Sequence, residues 1–282
     1  MVGIWDDHDY GINDGDKNFS LKEESKDIWL EFIGEPANSL RRNRPGIYTS
    51  YTMGPVGKQV KLILLDVRSF RDPKRILTGD TLGEDQWKWL ENELKTPGNV
   101  TLIGLGIQVL VHNRFNVSEK LHPKSYERLL GLIRDKPGVI LLSGDVHHTE
   151  IQKYTCSKYP IHEFTSSGMT HSVKWHFGLA ADFYITLGMP HWFNIGPKNA
   201  VRNFGVIEFD WDKEVSVNLQ MRDESGEIIG EHRFSVAEKS PSDDYCSFKE
   251  SDLASNFVYG VLIELLIPIV MIVLLYLSLT SK

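Results

Sequence analysis

Apolar runs bounded by turn residues alternate with amphipathic segments along the first half of the chain. Strands are predicted where apolar positions run together or alternate, at 47–52, 60–66, 100–111 and 139–143. Helices are predicted where apolar residues recur at helical spacing, at 21–33, 84–94 and 126–134. Such alternation of strand and helix is typical of a layered α/β fold.

The second half has a different pattern. Residues 161–203 form aromatic, glycine-rich loops with four histidines, His162, His171, His176 and His191, of which one could approach a site while each alone is more often structural. Alternating segments at 204–209, 215–221 and 230–236 predict strands, the last two joined by a turn at Asp223 to Gly226. We therefore expect two packed mixed β-sheets flanked by helices.

The C-terminal region has a polar linker at 240–256 and a nearly continuous apolar run at 257–279. As a helix this run would be about 34 Å long, enough for a hydrocarbon core of about 30 Å. Glu264 and Pro268 lie inside it. A buried soluble helix is the weaker alternative, since nothing apolar follows to cover it. We predict a transmembrane helix with a short tail at 280–282, after a domain at 1–239.

The length, charge and cysteine content of the chain limit the classes of protein to which it could belong. The chain has 282 residues, a net charge of −7 and a pI near 5.8, which suits one large α/β domain and argues against nucleic-acid binding. Its two cysteines, Cys156 and Cys246, form no disulfide framework or zinc cluster, and a single bridge or a free pair both remain open. Asn18, Asn99 and Asn116 begin glycosylation sequons, which favours a lumenal or extracellular domain.

The first candidate site lies near the start of the chain. Three acids and His8 occupy residues 6–9, after Val2, Ile4 and Trp5, which are typical of the end of a buried strand. Such a loop suits a hard metal cation, although an acidic surface turn is an equal alternative. A second apolar run, 139–143, ends in a Gly-Asp-Val-His-His sequence at 144–148. Two strand ends that both carry acid and histidine predict one shared site on one edge of a sheet.

These motifs also resemble those of a known family. The sequence WDDHDYG at 5–11 is followed in order by LLDVRSFRD at 64–72, LGEDQWKWLENEL at 82–94 and LLSGDVHH at 141–148. Together they resemble the PhoD-like alkaline phosphatases, a branch of the calcineurin-like metallophosphatases. The resemblance implies metal-dependent hydrolysis of phosphomonoesters or phosphodiesters. Two ligand-bearing motifs that precede this segment in the family are not found here, so residues 1–239 are expected to be a partial domain.

The resemblance assigns roles residue by residue. Asp7, Asp145 and His147 take the positions of ligands to two metal ions, for which calcium and iron are implied. His8 takes the position of the proton donor to the leaving oxygen, and Asp9 would orient its ring.

Some assignments are less specific. Asn13, Arg68, Gln108 and His148 are candidate substrate-binding residues, each with an alternative, which for Asn13 is contact with a metal ion. Arg68 could instead brace the loop by pairing with an acid, Gln108 could be a satisfied strand-end residue, and His148 could lie behind the metal ligands. The expected partners are a phosphate ester and a membrane, and the alternative function is a non-catalytic binding or scaffold protein on a truncated phosphatase fold.

Overall fold

The computed structural model describes residues 2–111, 119–174, 193–212 and 214–241, with the single positions 178, 181 and 185. The helices within these ranges are α1 (Asp7–Tyr10), α2 (Lys22–Phe32), α3 (Glu84–Glu93) and α4 (Pro123–Ile133). The strands are β1 (Thr49–Met53), β2 (Val60–Leu64), β3 (Val100–Gly104), β4 (Val139–Ser143), β5 (Thr149–Tyr154), β6 (Ile161–Ser166), β7 (Asn203–Asp210), β8 (Ser216–Asp223) and β9 (Ile228–Ser235).

The strands form a six-stranded sheet in the order β1-β2-β3-β4-β6-β5 and a three-stranded sheet in the order β7-β8-β9. In the larger sheet β2, β3, β4 and β6 are parallel, and β1 and β5 pair antiparallel at its edges. The prediction of a mixed sheet is therefore right for this sheet. The smaller sheet is purely antiparallel, because short connections join its successive strands.

Alternation along the parallel strands builds the two sides of the core. Ile63, Ile103 and Leu141 lie in one buried cluster with the inner faces of α3 and α4. Leu102 and Ile140, their neighbours along the strands, lie in a second cluster with residues of β8 and β9. The order of layers is thus helices, six-stranded sheet, three-stranded sheet.

Two predicted strand boundaries were wrong. Residues 2–5 form no strand but an irregular segment, in which Val2 is 50% exposed and Trp5 is buried with its Nε1 donating to Asp66 Oδ1 at 2.9 Å. β3 ends at Gly104 rather than at 111. Beyond it the Glu163 carboxylate accepts the amides of Val109 and Leu110 at 2.7 and 2.6 Å, so these amides bond to a side chain and not to a neighbouring strand.

The region predicted as loops from 161 begins instead with a central strand. β6 pairs parallel with β4 and antiparallel with β5, and neither β5 nor β6 was predicted. α2 was predicted at nearly its observed bounds, but only part of its aromatic content is core. Trp29 is buried, whereas Phe32 is 76% exposed.

Among the described residues, no helix has the length and apolar character needed to cross a membrane. The predicted transmembrane helix at 257–279 and the tail at 280–282 lie outside those residues, as do Cys246, Asn116 and the linker beyond 241.

Candidate active site

The acidic motif forms the start of α1. The Asp7 carboxylate accepts two backbone amides and so closes the loop that follows the helix. Asp7 is buried, its Oδ1 accepts the His8 amide at 2.7 Å and its Oδ2 accepts the Asp14 amide at 3.0 Å. These bonds close the loop between residues 7 and 14, and Asn13 is exposed on it. Asp14 adopts a left-handed backbone (φ 52°), which an Asp tolerates better than most residues.

His8 and Asp9 both face solvent on this short helix. The Asp9 carboxylate accepts a long bond from the Asp6 amide at 3.4 Å. The orientation of the His8 ring by Asp9 therefore stays a prediction. Exposure of His8 suits a group that exchanges protons with a bound substrate.

The ends of β3 and β4 bring the second motif to the same place. The Gly144 amide donates to Gly106 O at 3.0 Å, and a Cβ at Gly106 would lie 2.5 Å from Asp6 Oδ1. Only a glycine leaves room for this approach of the acidic motif to the strand end. Asp145 directly follows Gly144, so acids from the two motifs approach each other at the carboxyl edge of the parallel strands, although the first motif does not follow a strand as the sequence predicted.

The pKa of Asp145 is affected by the nearby acids of the first motif. Its pKa is raised to about 7, first by burial and then by the charges of Asp6 and Glu119, with a smaller contribution from Asp7, against the opposing charge of Arg68. The pKa of Asp6 is raised as well, mainly by burial, although Arg68 lowers it. An excess of carboxylates in a desolvated place favours a bound cation or proton.

The loop that follows β4 has an unusual backbone. Asp145 and His147 are both left-handed, with φ of 74° and 55°. The His147 side chain is exposed, its amide donates to Ser167 Oγ at 3.1 Å, and its ring centroid lies 6.1 Å from that of His171. Of the two histidines of the 161–203 region that the structure describes, His162 and His171, it is His171 that approaches His147. Left-handed conformations at two candidate ligands that lie two positions apart are a feature that clusters at functional sites.

Arg68 has the contacts of a brace. Its side chain is fully buried, Nη2 lies 2.5 Å from Asp6 Oδ1 and 2.6 Å from Glu119 Oε2, and Nε donates to Asp6 Oδ1 at 2.9 Å. The two carboxylates outweigh the effect of burial and raise the pKa of the guanidinium. These contacts match the alternative in which Arg68 positions the acidic motif.

Gln108 and His148 lie behind the loop and not on its surface. Both are fully buried, and both contact the Glu150 carboxylate, at 2.7 Å from Gln108 Nε2 and 3.2 Å from His148 Nε2. Their assignment to substrate binding stays a prediction that these contacts do not favour.

The donor chemistry of this edge suits hard metal ions, since Asp7 and Asp145 offer carboxylate oxygens and His147 offers an imidazole nitrogen. Within the described part of the chain, no group of three or more such side chains is close enough to hold one ion. A bound ion would therefore need further ligands beyond these side chains.

Sequence reasoning gave no role to Asp6, Glu119 or Glu150, the acids that organise this edge. Asp6 lies inside the recognised WDDHDYG motif, and this position could have indicated that it belongs to the site. Glu119 and Glu150 gave no such signal, because Arg68, which pairs with Glu119, and Gln108 and Lys198, which contact Glu150, are distant from them in the sequence.

Comparisons with known proteins identify relatives of the chain. A family model described as PhoD-like phosphatase matches residues 1–181. A solved structure of PhoD is similar with a TM-score of 0.56 and 19% identity, covering 84% of this chain and 54% of that one. GAP50, the anchor in the inner membrane complex of Plasmodium, is similar with a TM-score of 0.48 and 15% identity, covering 70% of this chain and 56% of that one. No curated protein gives a significant match. The chain thus spans about half the length of these solved structures.

Proposed function

The chain belongs to the PhoD-like phosphatase family, and on this basis we propose that it hydrolyses phosphate esters with the help of metal ions at the carboxyl edge of the larger sheet. One observation supports this site above the others. The Asp6 side chain lies against Gly106, whose carbonyl accepts the Gly144 amide, so acids of the 5–11 and 141–148 motifs, far apart in sequence, approach each other there. Both monoesters and diesters fit the proposal.

In this proposal Asp7, Asp145 and His147 hold two metal ions, with calcium and iron as the expected pair. When bound, such ions polarise the phosphoryl group and lower the pKa of a bound water. The residues of the chain then divide the remaining tasks. His8 donates a proton to the leaving oxygen, Asp9 orients its ring, and Asn13 binds the phosphate.

Arg68 contributes indirectly. Paired with Asp6 and Glu119, it offsets carboxylate charge beneath the site and fixes the acidic motif against the strand ends. Because the Arg68 side chain is fully buried and bonded to these carboxylates, its contacts support a bracing role.

The experiment compares the wild type with Asp145→Asn. Hydrolysis of p-nitrophenyl phosphate and of bis-p-nitrophenyl phosphate is measured after chelation and after Ca²⁺ and Fe³⁺ are added back. We expect chelation to abolish activity, the ions to restore it in the wild type, and Asp145→Asn to remain inactive because a candidate ligand is lost. Asp80→Asn serves as control, since Asp80 bonds to Ser125 and Trp87 near α3 and not to the loop.

If the wild type binds the ions but hydrolyses neither ester, the enzymatic proposal is wrong. That result would favour the alternative of a binding or scaffold protein on a phosphatase fold.

We also propose that residues 257–279 anchor the chain in a membrane with the catalytic domain on the lumenal or outer side. The length of the apolar run supports the anchor. The sequon residues Asn18 and Ser20 are both exposed, which supports the side. Release of intact protein by alkaline carbonate would refute the anchor. An endoglycosidase shift that Asn18→Gln removes would support the placement, and a protease-accessible cytosolic domain would overturn it.

A further inference from the structure

A fully buried carboxylate lies beneath the loop that carries Asp145 and His147. The side chain of Glu150, in β5, has no exposed surface. Its Oε1 accepts Gln108 Nε2 at 2.7 Å and faces His148 Nε2 at 3.2 Å. Its Oε2 lies 3.1 Å from Lys198 Nζ and 3.3 Å from Asn194 Nδ2. A buried charge needs such partners, and here the four donors come from three separate parts of the chain.

One of these donors reaches the loop directly. The His148 ring lies between Glu150 and the loop, with Nδ1 3.0 Å from Val146 O. The two ring nitrogens thus contact the Glu150 carboxylate on one side and the loop carbonyl on the other. The carboxylate therefore acts on the loop through one rigid aromatic ring.

The loop backbone adopts uncommon conformations that depend on support from surrounding residues. Its two left-handed residues, Asp145 and His147, flank Val146, whose amide donates to Gly144 O. The His147 amide donates to Ser167 Oγ, and its carbonyl accepts the Val173 amide at 2.9 Å. Sparsely populated backbone conformations persist only where surrounding structure over-determines them. The bond from His148 to Val146 O fixes the carbonyl between the two residues.

The other donors connect the carboxylate to elements outside the loop. Gln108 follows β3 and also donates to Thr165 Oγ1 of β6 at 2.9 Å. Lys198 and Asn194 belong to a segment that is bridged to β5 at Thr149 and Gln152. Glu150 thus ties the loop to three neighbours outside it, Gln108, Asn194 and Lys198.

We propose that Glu150 is a positioning residue, which through His148 holds residues 144–148 in the conformation that presents Asp145 and His147 at the carboxyl edge. The proposal rests on the proposed function for its consequence, because the loop matters if it holds metal ions. It also gives Gln108 and His148 a shared role as supports of the loop. Outer partners of metal ligands commonly affect metal affinity by 10- to 100-fold.

The test uses the full chain in four forms: wild type, Glu150→Gln, the double variant Glu150→Gln with Lys198→Met, and the control Asp80→Asn. Glutamine keeps the shape of Glu150 but removes the charge that faces Lys198 and His148. In the double variant the lysine charge is removed as well, so the loss of stability caused by an unbalanced buried charge is corrected, while the contact with His148 stays altered. Asp80 is a comparably bonded carboxylate that has no partner within 144–148.

Two measurements are made on each form. Mn²⁺ affinity is measured by electron paramagnetic resonance, and hydrogen exchange is measured on the amides of 144–148 without metal. For Glu150→Gln we expect about 10- to 100-fold weaker Mn²⁺ binding and faster exchange at Val146 and His147. The double variant should regain thermal stability but neither the affinity nor the protection, and Asp80→Asn should change stability alone.

Recovery of affinity and protection in the double variant would overturn the proposal, since Glu150 would then act only on overall stability. Unchanged exchange at 144–148 in Glu150→Gln would also overturn it, whether or not the wild type binds Mn²⁺. If the wild type binds Mn²⁺, Glu150→Gln weakens that binding and no ester is hydrolysed, the positioning role stands and the proposed function fails.

Discussion

At the carboxyl edge of the larger sheet Arg68 pairs with Asp6 and Glu119 at 2.5 and 2.6 Å, whereas between the two sheets His162 lies buried with neither ring nitrogen bonded. The His162 ring stacks on Phe234 with centroids 3.7 Å apart and lies 5.2 Å from His232. Its pKa is lowered to about 2, chiefly by burial and then by the charges of His232 and Lys153.

The two regions thus bury ionisable groups by opposite means. At the edge the guanidinium of Arg68 keeps its charge because two carboxylates pair with it, and between the sheets His162 is kept in its neutral form as part of the packing. A strongly shifted pKa is therefore not enough to mark a site in this protein. What distinguishes the edge is that several charged groups meet there beside a strained loop.

The largest effect is expected from His8→Ala, in the exposed part of the edge. Loss of the proton donor should slow hydrolysis of alkyl phosphates about 100- to 10,000-fold, and slow p-nitrophenyl phosphate far less, because a good leaving group needs no proton. Steady-state kinetics with both substrates measure the difference. His162→Phe is the matched histidine control and should leave both rates unchanged. Equal losses for the two substrates in His8→Ala would contradict a role in proton donation.

The next effect is on stability. Arg68→Met leaves the partly buried Asp6 without its cation and the buried Glu119 with Arg71 alone, and should lower the free energy of unfolding by about 3–5 kcal/mol. Arg128→Met removes an arginine that is 34% exposed and pairs with Glu84 and Glu91, and should cost only about 0–1 kcal/mol. Urea unfolding at neutral pH compares the two. Similar losses would show that the paired edge gains nothing special from burial.

A smaller effect, dependent on pH, is expected between the sheets. The pKa of His162 is about 2 in the folded protein and 6.5 as its ordinary value, so folding excludes a proton there. Its contribution to stability is fully present above pH 6.5 and is lost as the pH falls toward 2, by at most about 1.4 kcal/mol per pH unit. At pH 4.5 the loss is about 2–3 kcal/mol.

Urea unfolding at pH 7 and pH 4.5 measures this loss, and His162→Phe provides the comparison. The phenylalanine variant should lose less stability between the two pH values than the wild type. An identical pH dependence in both proteins would mean that His162 accepts a proton without disturbing the packing.

Much of the fold followed from local patterns. β2 and β4 were predicted because continuous apolar runs bounded by turns are typical of buried parallel strands, and α3 because Trp87, Leu90 and Leu94 share one helical face. β5 and β6 were missed. β6 contains three buried polar residues, His162, Glu163 and Thr165. Its composition is therefore that of a polar loop, although the strand is paired on both sides within the sheet.

For the candidate site as well, some features were predictable from the sequence and others were not. The sequence by itself predicted that Asp7, His8, Asp145 and His147 share one site, because acid and histidine recur in two motifs that each follow an apolar run, although only the second run, β4, is a strand. Only the tertiary structure decided what Arg68, Gln108 and His148 contact. Arg68 meets Asp6 from 62 positions away, and Gln108 meets Glu150 from 42 positions away. Such pairs leave no periodic signal, since a side chain's partner is set by how the layers stack and not by the residues beside it.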